Sequence, residues 1–362
     1  MLESTAQRRG VSVRLQEKPR PVLSVRGLVI EDVTLDQPEI IVDHLSFDVA
    51  AGSVLGIVGE SGSGKTLTML AVMGLLPHNL SVTGGEIWLE DQNLLTLSAT
   101  ELRSIMGNRM TMIFQDPMTS LNPVICVGKQ IGEIIQIHNP AVSRSEVRDR
   151  VIDLLLLVGI PDPGARYRHF AHELSGGMRQ RAMIAMAVAN SPTLLIADEP
   201  TTALDVTIQA QVLEVLAAVR ERTGASMVLV THDLGLVAET ADDVGVMYGG
   251  RMMEYADVET LFAHPSHPYT VGLFKSLPRA DSELTELYSI AGQPPAVGAY
   301  PSGCVFHPRC GVCRGRAICV DQEPEREDLG GGHESACHFV AEVTSWAEAP
   351  IAGRGLEEIE PS

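Results

Sequence analysis

Over residues 22–50 apolar and polar positions alternate, as in Leu23-Ser24-Val25-Arg26-Gly27-Leu28 and Leu45-Ser46-Phe47-Asp48-Val49. A period of two is the pattern of strands with one buried face, so two antiparallel strands are expected, with a turn near Asp36-Gln37-Pro38. Phe47 keeps the phase of Leu45 and Val49 and is expected in the core. The run Val54-Leu55-Gly56-Ile57-Val58 is apolar throughout, as a strand covered on both faces would be, and residues 54–77 read as strand, loop and helix. Between Gln115 and Ser175 the spacing turns helical, most clearly over residues 147–158, until Pro161-Asp162-Pro163-Gly164 ends the run. A helical subdomain is therefore expected at about 116–178. Strand and helix then alternate again through 194–197, 206–223, 226–230 and 244–247, which implies an α/β fold with a mostly parallel sheet. After Leu277-Pro278 the composition shifts to Pro, Gly and Cys. The expected division is a disordered tail at 1–22, a core at 23–278, a loop-rich appendage at 279–340 and an acidic tail at 341–362.

Charge narrows the classes of partner. A formal net charge of −19 weighs against nucleic acid and against anionic lipid headgroups. No stretch approaches the roughly 20 apolar residues that span a bilayer. The Arg-containing start lacks the apolar segment of a secretory signal, and a cytosolic chain is expected.

Three segments carry the chemistry. Gly59-Glu60-Ser61-Gly62-Ser63-Gly64-Lys65-Thr66 fills the phosphate-loop pattern G-x-x-x-x-G-K-S/T directly after an apolar strand. There the glycines let backbone N–H groups turn around a triphosphate, Lys65 reaches the β/γ-phosphates, and the Thr66 hydroxyl suits Mg²⁺. The strand Leu194-Leu195-Ile196-Ala197 ends in Asp198 and Glu199, where a metal and an attacking water must be handled: Asp198 suits the metal and Glu199 the water. Ser175-Gly176-Gly177 opens a helix, leaving free N–H groups aimed at an anion.

In this order the segments resemble the nucleotide-binding subunits of ABC transporters. The resemblance makes Gln115 the Q-loop residue, Leu174 to Gln180 the signature motif, Ala203-Leu204-Asp205 the D-loop and His232 the switch histidine. The longer matches Phe114-Gln115-Asp116-Pro117-Met118-Thr119-Ser120-Leu121-Asn122-Pro123 and His267-Pro268-Tyr269-Thr270 are similar to the dipeptide, oligopeptide and nickel importer branch. What this implies is a P-loop ABC ATPase core: an antiparallel β subdomain, a RecA-like parallel sheet and a helical subdomain. It also implies ATP with Mg²⁺, the latter held by Thr66, Gln115 and Asp198; catalysis by Glu199, His232 and Gln115; and Ser175, Gly176, Gly177 and Asp205 acting across a dimer. Implied partners are a second ATPase subunit, two membrane permeases and an extracytoplasmic binding protein, with the chain peripheral at the cytoplasmic face of the membrane. Di- or oligopeptides are the expected solute, nickel or another small solute the alternative, and a non-transport ABC-type ATPase the reading from another class. One departure is plain: no aromatic residue stands before the phosphate loop where the family stacks adenine.

Five of the six cysteines, Cys304, Cys310, Cys313, Cys319 and Cys337, fall within residues 304–337. In a cytosolic chain such density points to metal rather than disulfides, and thiolates suit zinc or iron–sulfur. Resemblance to the C-terminal extension of peptide-importer ATPases implies a four-iron, four-sulfur cluster on Cys304, Cys310, Cys319 and Cys337, with Cys313 as an alternative ligand. Zinc is the rival, because Cys310-Gly311-Val312-Cys313 has C-x-x-C spacing with His307, His333 and His338 nearby. Cys126 is expected to be a small buried apolar residue.

Overall fold

A computed structural model describes residues 21–34, 37–115, 121–202, 206–277 and 288–348. The expected N-terminal tail lies outside them but for its last two residues, and Asp205 lies outside them too.

The two alternating segments at the start become β1 (Pro21–Asp32) and β2 (Glu39–Ala50), paired antiparallel with Leu23 opposite Val49 and Leu28 opposite Leu45. The apolar run becomes β3 (Val54–Val58). With β4 (Leu80–Leu89) and β5 (Gln92–Asn93), the first pair forms a four-stranded antiparallel sheet in the order β2-β1-β4-β5. Phe47 is buried in its core.

A larger sheet takes β6 (Met110–Ile113), β7 (Leu194–Asp198), β8 (Ser226–Thr231), β9 (Asp243–Tyr248) and β10 (Arg251–Asp257). The two-residue strands β11 (Glu327–Asp328) and β12 (Glu334–Ser335) extend it, in the order β11-β12-β10-β9-β3-β8-β7-β6. Strands β9, β3, β8, β7 and β6 are parallel, and β10 onward is antiparallel. Each parallel strand is apolar on both faces because each face meets its own core. On β7, Leu195 and Ala197 pack under the helical layer while Leu194 and Ile196 pack toward the antiparallel sheet; on β8, Met227 and Leu229 oppose Val228 and Val230 in the same way. The helical layer contains Val127–His138, Arg144–Leu157 and Gly176–Ala187, with Val151, Leu155 and Ile184 fully buried. Residues 116–120 of the expected helical subdomain lie outside the described residues.

Three expectations are corrected. The segment from 288 onward shares the main sheet and core rather than standing apart: β12 pairs with β10, and Val305 and Phe306 are buried in the cluster under the helical layer. The acidic tail begins as a helix, Val340–Glu348, with Val343 fully buried. Cys126 is half-buried at the N-cap of Val127–His138 rather than in the core. Among the described residues no helix is long and apolar enough to cross a membrane.

Candidate functional site

Strand register gathers the motif residues. Val58 pairs with Thr231, Asp198 with Val230, and Ala197 with Ile113, so the carboxyl ends of β3, β8, β7 and β6 are level. One or two residues further on lie Gly59, His232, Glu199 and Gln115, at the end of the sheet where parallel α/β folds hold their ligands.

The phosphate loop turns from β3 into the helix Lys65–Val72. At Gly59 a Cβ would stand 2.1 Å from the Met247 carbonyl oxygen, and Gly64, the N-cap, has φ +95°, so glycine is required at both. Lys65 folds its ammonium back into the loop, donating to the carbonyls of Gly59 (2.7 Å) and Glu60 (2.9 Å) and to Ser63 Oγ (3.3 Å). Burial lowers its pKa, against the pull of Glu199, Asp198 and Glu60. The Thr66 hydroxyl donates to Asp198 Oδ1 at 3.1 Å. Burial raises the pKa of Asp198, opposed by that hydrogen bond and by Lys65. Two hard oxygens, a hydroxyl and a carboxylate, thus stand together as Mg²⁺ requires.

Glu199 has φ +46°, in the left-handed region that non-glycine residues rarely enter, while its N–H donates to the Val230 carbonyl at 2.8 Å. Its carboxylate accepts from Gln115 Nε2 (2.8 Å) and from the Thr202 hydroxyl (2.8 Å), and His232 Nδ1 lies 3.3 Å away. His232 sits between the end of β8 and Asp233, whose side chain caps the helix Leu234–Thr240. Gln115, Glu199 and His232, far apart in sequence, therefore meet at one carboxylate. Thr202 is a member that sequence reasoning missed; its only signal was its place after the carboxylate pair.

A cleft of about 190 Å³ opens on the loop, lined by residues 61–67, Gln115, Glu199, Ile41 and Val297. Its apolar walls are aliphatic, in keeping with the missing aromatic. Ser175, Gly176 and Gly177 do not line it. Ser175 caps its own helix, accepting from the Met178 N–H at 3.3 Å, and Gln180 in that helix donates to the Pro200 carbonyl at 2.7 Å. A larger cavity, about 580 Å³, includes none of these motifs, and its walls carry the ion pairs of Arg251 with Asp43 and Glu323 and of Arg326 with Glu334.

The five clustered cysteines do converge. Cys304, Cys310, Cys313, Cys319 and Cys337 line one cavity with His307 and His338, and all are free thiols. The space is about 10 Å³, enough for roughly one water-sized body. No group of three or more His, Cys, Asp or Glu among the described residues is arranged to grip a metal ion. Burial pushes the thiol of Cys304 up to about 11 and those of Cys319 and Cys337 up to about 12. His333, an alternative zinc ligand by sequence, instead faces the fully buried Glu254, with Nε2 at 2.8 Å.

Comparison with known proteins adds the following. The family model described as ABC transporter matches residues 42–202, and that described as oligopeptide/dipeptide transporter, C-terminal region, matches residues 253–319. A probable peptide ABC transporter ATP-binding protein of Sinorhizobium fredii is 46% identical over 337 residues, covering 92% of this chain and 100% of that protein. The dipeptide transport ATP-binding protein DppD of Escherichia coli is 47% identical over 298 residues, covering 82% of this chain and 90% of that protein. The oligopeptide transport ATP-binding protein OppD of Mycobacterium tuberculosis is 46% identical over 91% of this chain, which spans only 54% of that longer protein. Among solved structures, an ATP-binding cassette in a dimeric post-hydrolysis state with ADP and Pi superposes with a TM-score of 0.58 at 23% identity, covering 65% of this chain and 98% of that one. A component of the cbiONQ complex of Clostridium perfringens gives 0.57 at 25%, covering 67% and 91%.

Proposed function

This chain belongs to the ABC transporter family and has the fold of its ATP-binding cassette, and from that premise we propose that it is the ATP-hydrolysing subunit of an importer for di- or oligopeptides. One observation carries the ATPase reading: Lys65, Thr66, Asp198, Glu199, Gln115 and His232 meet at the level ends of four parallel strands. The peptide reading is supported by relatives named for dipeptide and oligopeptide transport and by the matched C-terminal region.

Residues 59–66 cradle the triphosphate, and Thr66 and Asp198, with Gln115, hold Mg²⁺, which when bound neutralises charge on the transferring phosphoryl group. Glu199 orients the attacking water, held in place by Gln115 and Thr202. His232, whose Nδ1 lies 3.3 Å from the Glu199 carboxylate, would contact the γ-phosphate and the water. Positioning and electrostatics carry this chemistry, so the hydrogen bonds already made to Glu199 reduce what must be reorganised. Ser175, Gly176 and Gly177, which do not line the chain's own cleft, would serve the nucleotide of a second ATPase subunit, and Asp205 would act across the same dimer. ATP then closes two such sites by binding the closed state better than the open one. Two permease subunits and an extracytoplasmic binding protein complete the assembly, which keeps this chain peripheral at the cytoplasmic face of the membrane.

The five thiols suit a metal group by donor chemistry and convergence, and the reading extends to an iron–sulfur cluster on Cys304, Cys310, Cys319 and Cys337, with Cys313 the alternative and zinc the competing occupant. Such a group, if bound, would cross-link a segment that otherwise relies on the main sheet and core.

Purification of the assembled complex tests the function. Permease subunits should co-purify, and hydrolysis should rise when binding protein loaded with peptide is added. Full hydrolysis by the dilute single chain, or co-purification with ribosomes or DNA, would overturn the importer reading. Stimulation by nickel in place of peptide would reassign the solute.

A further inference from the structure

The geometry points to Arg309 as a positioning residue of the nucleotide site: through Glu60 it makes the cysteine-bearing segment part of the phosphate loop's support, so that ATP affinity depends on a residue 249 positions away. The inference rests on the ATPase reading above and deepens it.

Glu60 is an awkward residue for its place. It puts a carboxylate on a loop that is to wrap a triphosphate, and the phosphate-loop pattern allows any residue there. In this fold the carboxylate is gripped from outside the loop. Arg309 Nη1 donates to Glu60 Oε2 at 2.7 Å and Nη2 to Oε1 at 3.0 Å, the two-pronged pairing that only a guanidinium makes. The Arg309 side chain is 7% exposed and that of Glu60 25%, so little water screens the pair. Arg309 Nε also donates to the Ala291 carbonyl (3.0 Å), Nη1 to the Tyr248 hydroxyl (3.2 Å) and Nη2 to the Ile290 carbonyl (3.4 Å), and Cζ lies over the Tyr248 ring, 5.6 Å from the centroid.

The rest of Glu60 is held as firmly. Its N–H donates to the Tyr269 hydroxyl at 2.8 Å, and its carbonyl accepts from Lys65 at 2.9 Å. Amide, carbonyl and carboxylate are thus tied to the helix Pro268–Lys275, to the loop's own lysine and to the C-terminal segment. Arg309 ends the short turn His307–Arg309, and the next residue, Cys310, lines the cysteine cavity. Phe306, at the start of that turn, wedges its ring edge-on against Tyr248 at 5.2 Å and beside Tyr269 at 5.3 Å. The segment therefore neutralises a charge that would repel the triphosphate and pins the loop that receives it.

MgATP binding to the full chain, measured by calorimetry, tests this together with steady-state hydrolysis and thermal unfolding. Arg309→Met should weaken MgATP binding about tenfold and raise KM, with kcat at saturating ATP nearly unchanged, since a charge-assisted pair of this type is worth at least that factor. Arg309→Lys, with the charge but not the fork, should lose about threefold. The double variant Glu60→Gln/Arg309→Met should bind no more weakly than Arg309→Met alone, because the pair acts as one unit. A purely structural role would lower the unfolding temperature and leave MgATP affinity within twofold of wild type, and that result overturns the inference. So does a double variant whose loss is the product of the two single losses. If Arg309→Met does not fold, Arg309→Lys carries the test, and wild-type affinity in it is the overturning result. Wild-type protein that binds no MgATP would overturn the ATPase reading itself, whereas tight binding in both wild type and Arg309→Met overturns this inference alone.

Discussion

At the phosphate loop the charged groups are already matched: Lys65 lies among carbonyls and near Asp198 and Glu199, Thr66 bonds Asp198, and Glu199 has Gln115, Thr202 and His232 around it. The cysteine cavity is the opposite case. Its thiols are buried at Cys304, Cys313 and Cys319 and half-buried at Cys310 and Cys337, burial pushes the pKa of Cys304 up to about 11 and those of Cys319 and Cys337 up to about 12, and the space between the five is small. One site is laid out in advance for an ionic ligand; the other would have to give up thiol protons to hold a metal. Preorganisation can thus be read from a fold without its ligand, whereas a thiolate site shows only its donors.

The comparison is broken or sharpened first at Glu199. Glu199→Gln is expected to reduce turnover about 10³-fold with MgATP affinity within a few-fold of wild type, while Lys65→Ala loses about 10²-fold in affinity, as expected where position and charge do the work. Parallel assays of binding and hydrolysis check both, and equal turnover in wild type and Glu199→Gln would remove the assigned role. A second effect should appear at the cysteines. Anaerobically purified wild type is expected to be brown, with iron and acid-labile sulfide, and Ser at Cys304, Cys310 or Cys337 should bleach it while weakening MgATP binding no more than Arg309→Met does. Cys313→Ser beside Cys319→Ser decides the third ligand by which variant loses colour, and colourless protein with stoichiometric zinc would replace the cluster. Because burial raises the pKa values of Cys304, Cys310, Cys319 and Cys337, metal uptake should release protons and its apparent affinity should rise with pH, which titration in weakly buffered solution measures.

A separate effect, on stability rather than on ligand binding, concerns His267, whose buried ring has its pKa pushed down to about 3. The unfolded chain therefore binds the extra proton below about pH 6.5 and the folded chain does not, so stability is full above that pH and falls toward pH 3, by at most about 1.4 kcal/mol per pH unit. His267 Nδ1 accepts from the Tyr269 N–H at 3.1 Å at the start of a helix, a cap that Asn can also supply. His267→Asn should flatten the acid limb in urea titrations, and an unchanged slope would assign that limb to other groups.

Much of the catalytic end was legible because its signals are local. Residues 194–197 and 226–230 were expected as strands and lie within Leu194–Asp198 and Ser226–Thr231, since a strand buried on both faces is a continuous apolar run bounded by motif residues. What was not legible depends on contacts between distant segments. The grip of Arg309 on Glu60 has no periodicity to betray it. Neither has the joining of Glu334–Ser335 to β10, because two residues carry no pattern. Ile41 and Val297, the aliphatic walls of the cleft, are unremarkable in sequence. The cysteines were visible as a cluster, yet which four of the five would serve is a question of side-chain direction that spacing does not answer.

The way the large sheet ends has a bearing on solubility. A cassette cut just after the helix Pro268–Lys275 would retain every ATP motif yet strip β12 from β10, exposing backbone groups around Glu254 and Tyr255 that now pair with Ser335 and Glu334, and freeing the Met253 carbonyl that accepts from Ala336. A bare, partly apolar margin of that kind recruits strands from neighbouring molecules. In the whole chain the margin falls instead to β11, two exposed acidic residues followed by Leu329 and then Gly330-Gly331-Gly332, a strand too short and too charged to template pairing. The C-terminal segment therefore doubles as a selvedge for the fabric of the sheet, and a trimmed cassette should clump at concentrations where the full chain stays dispersed.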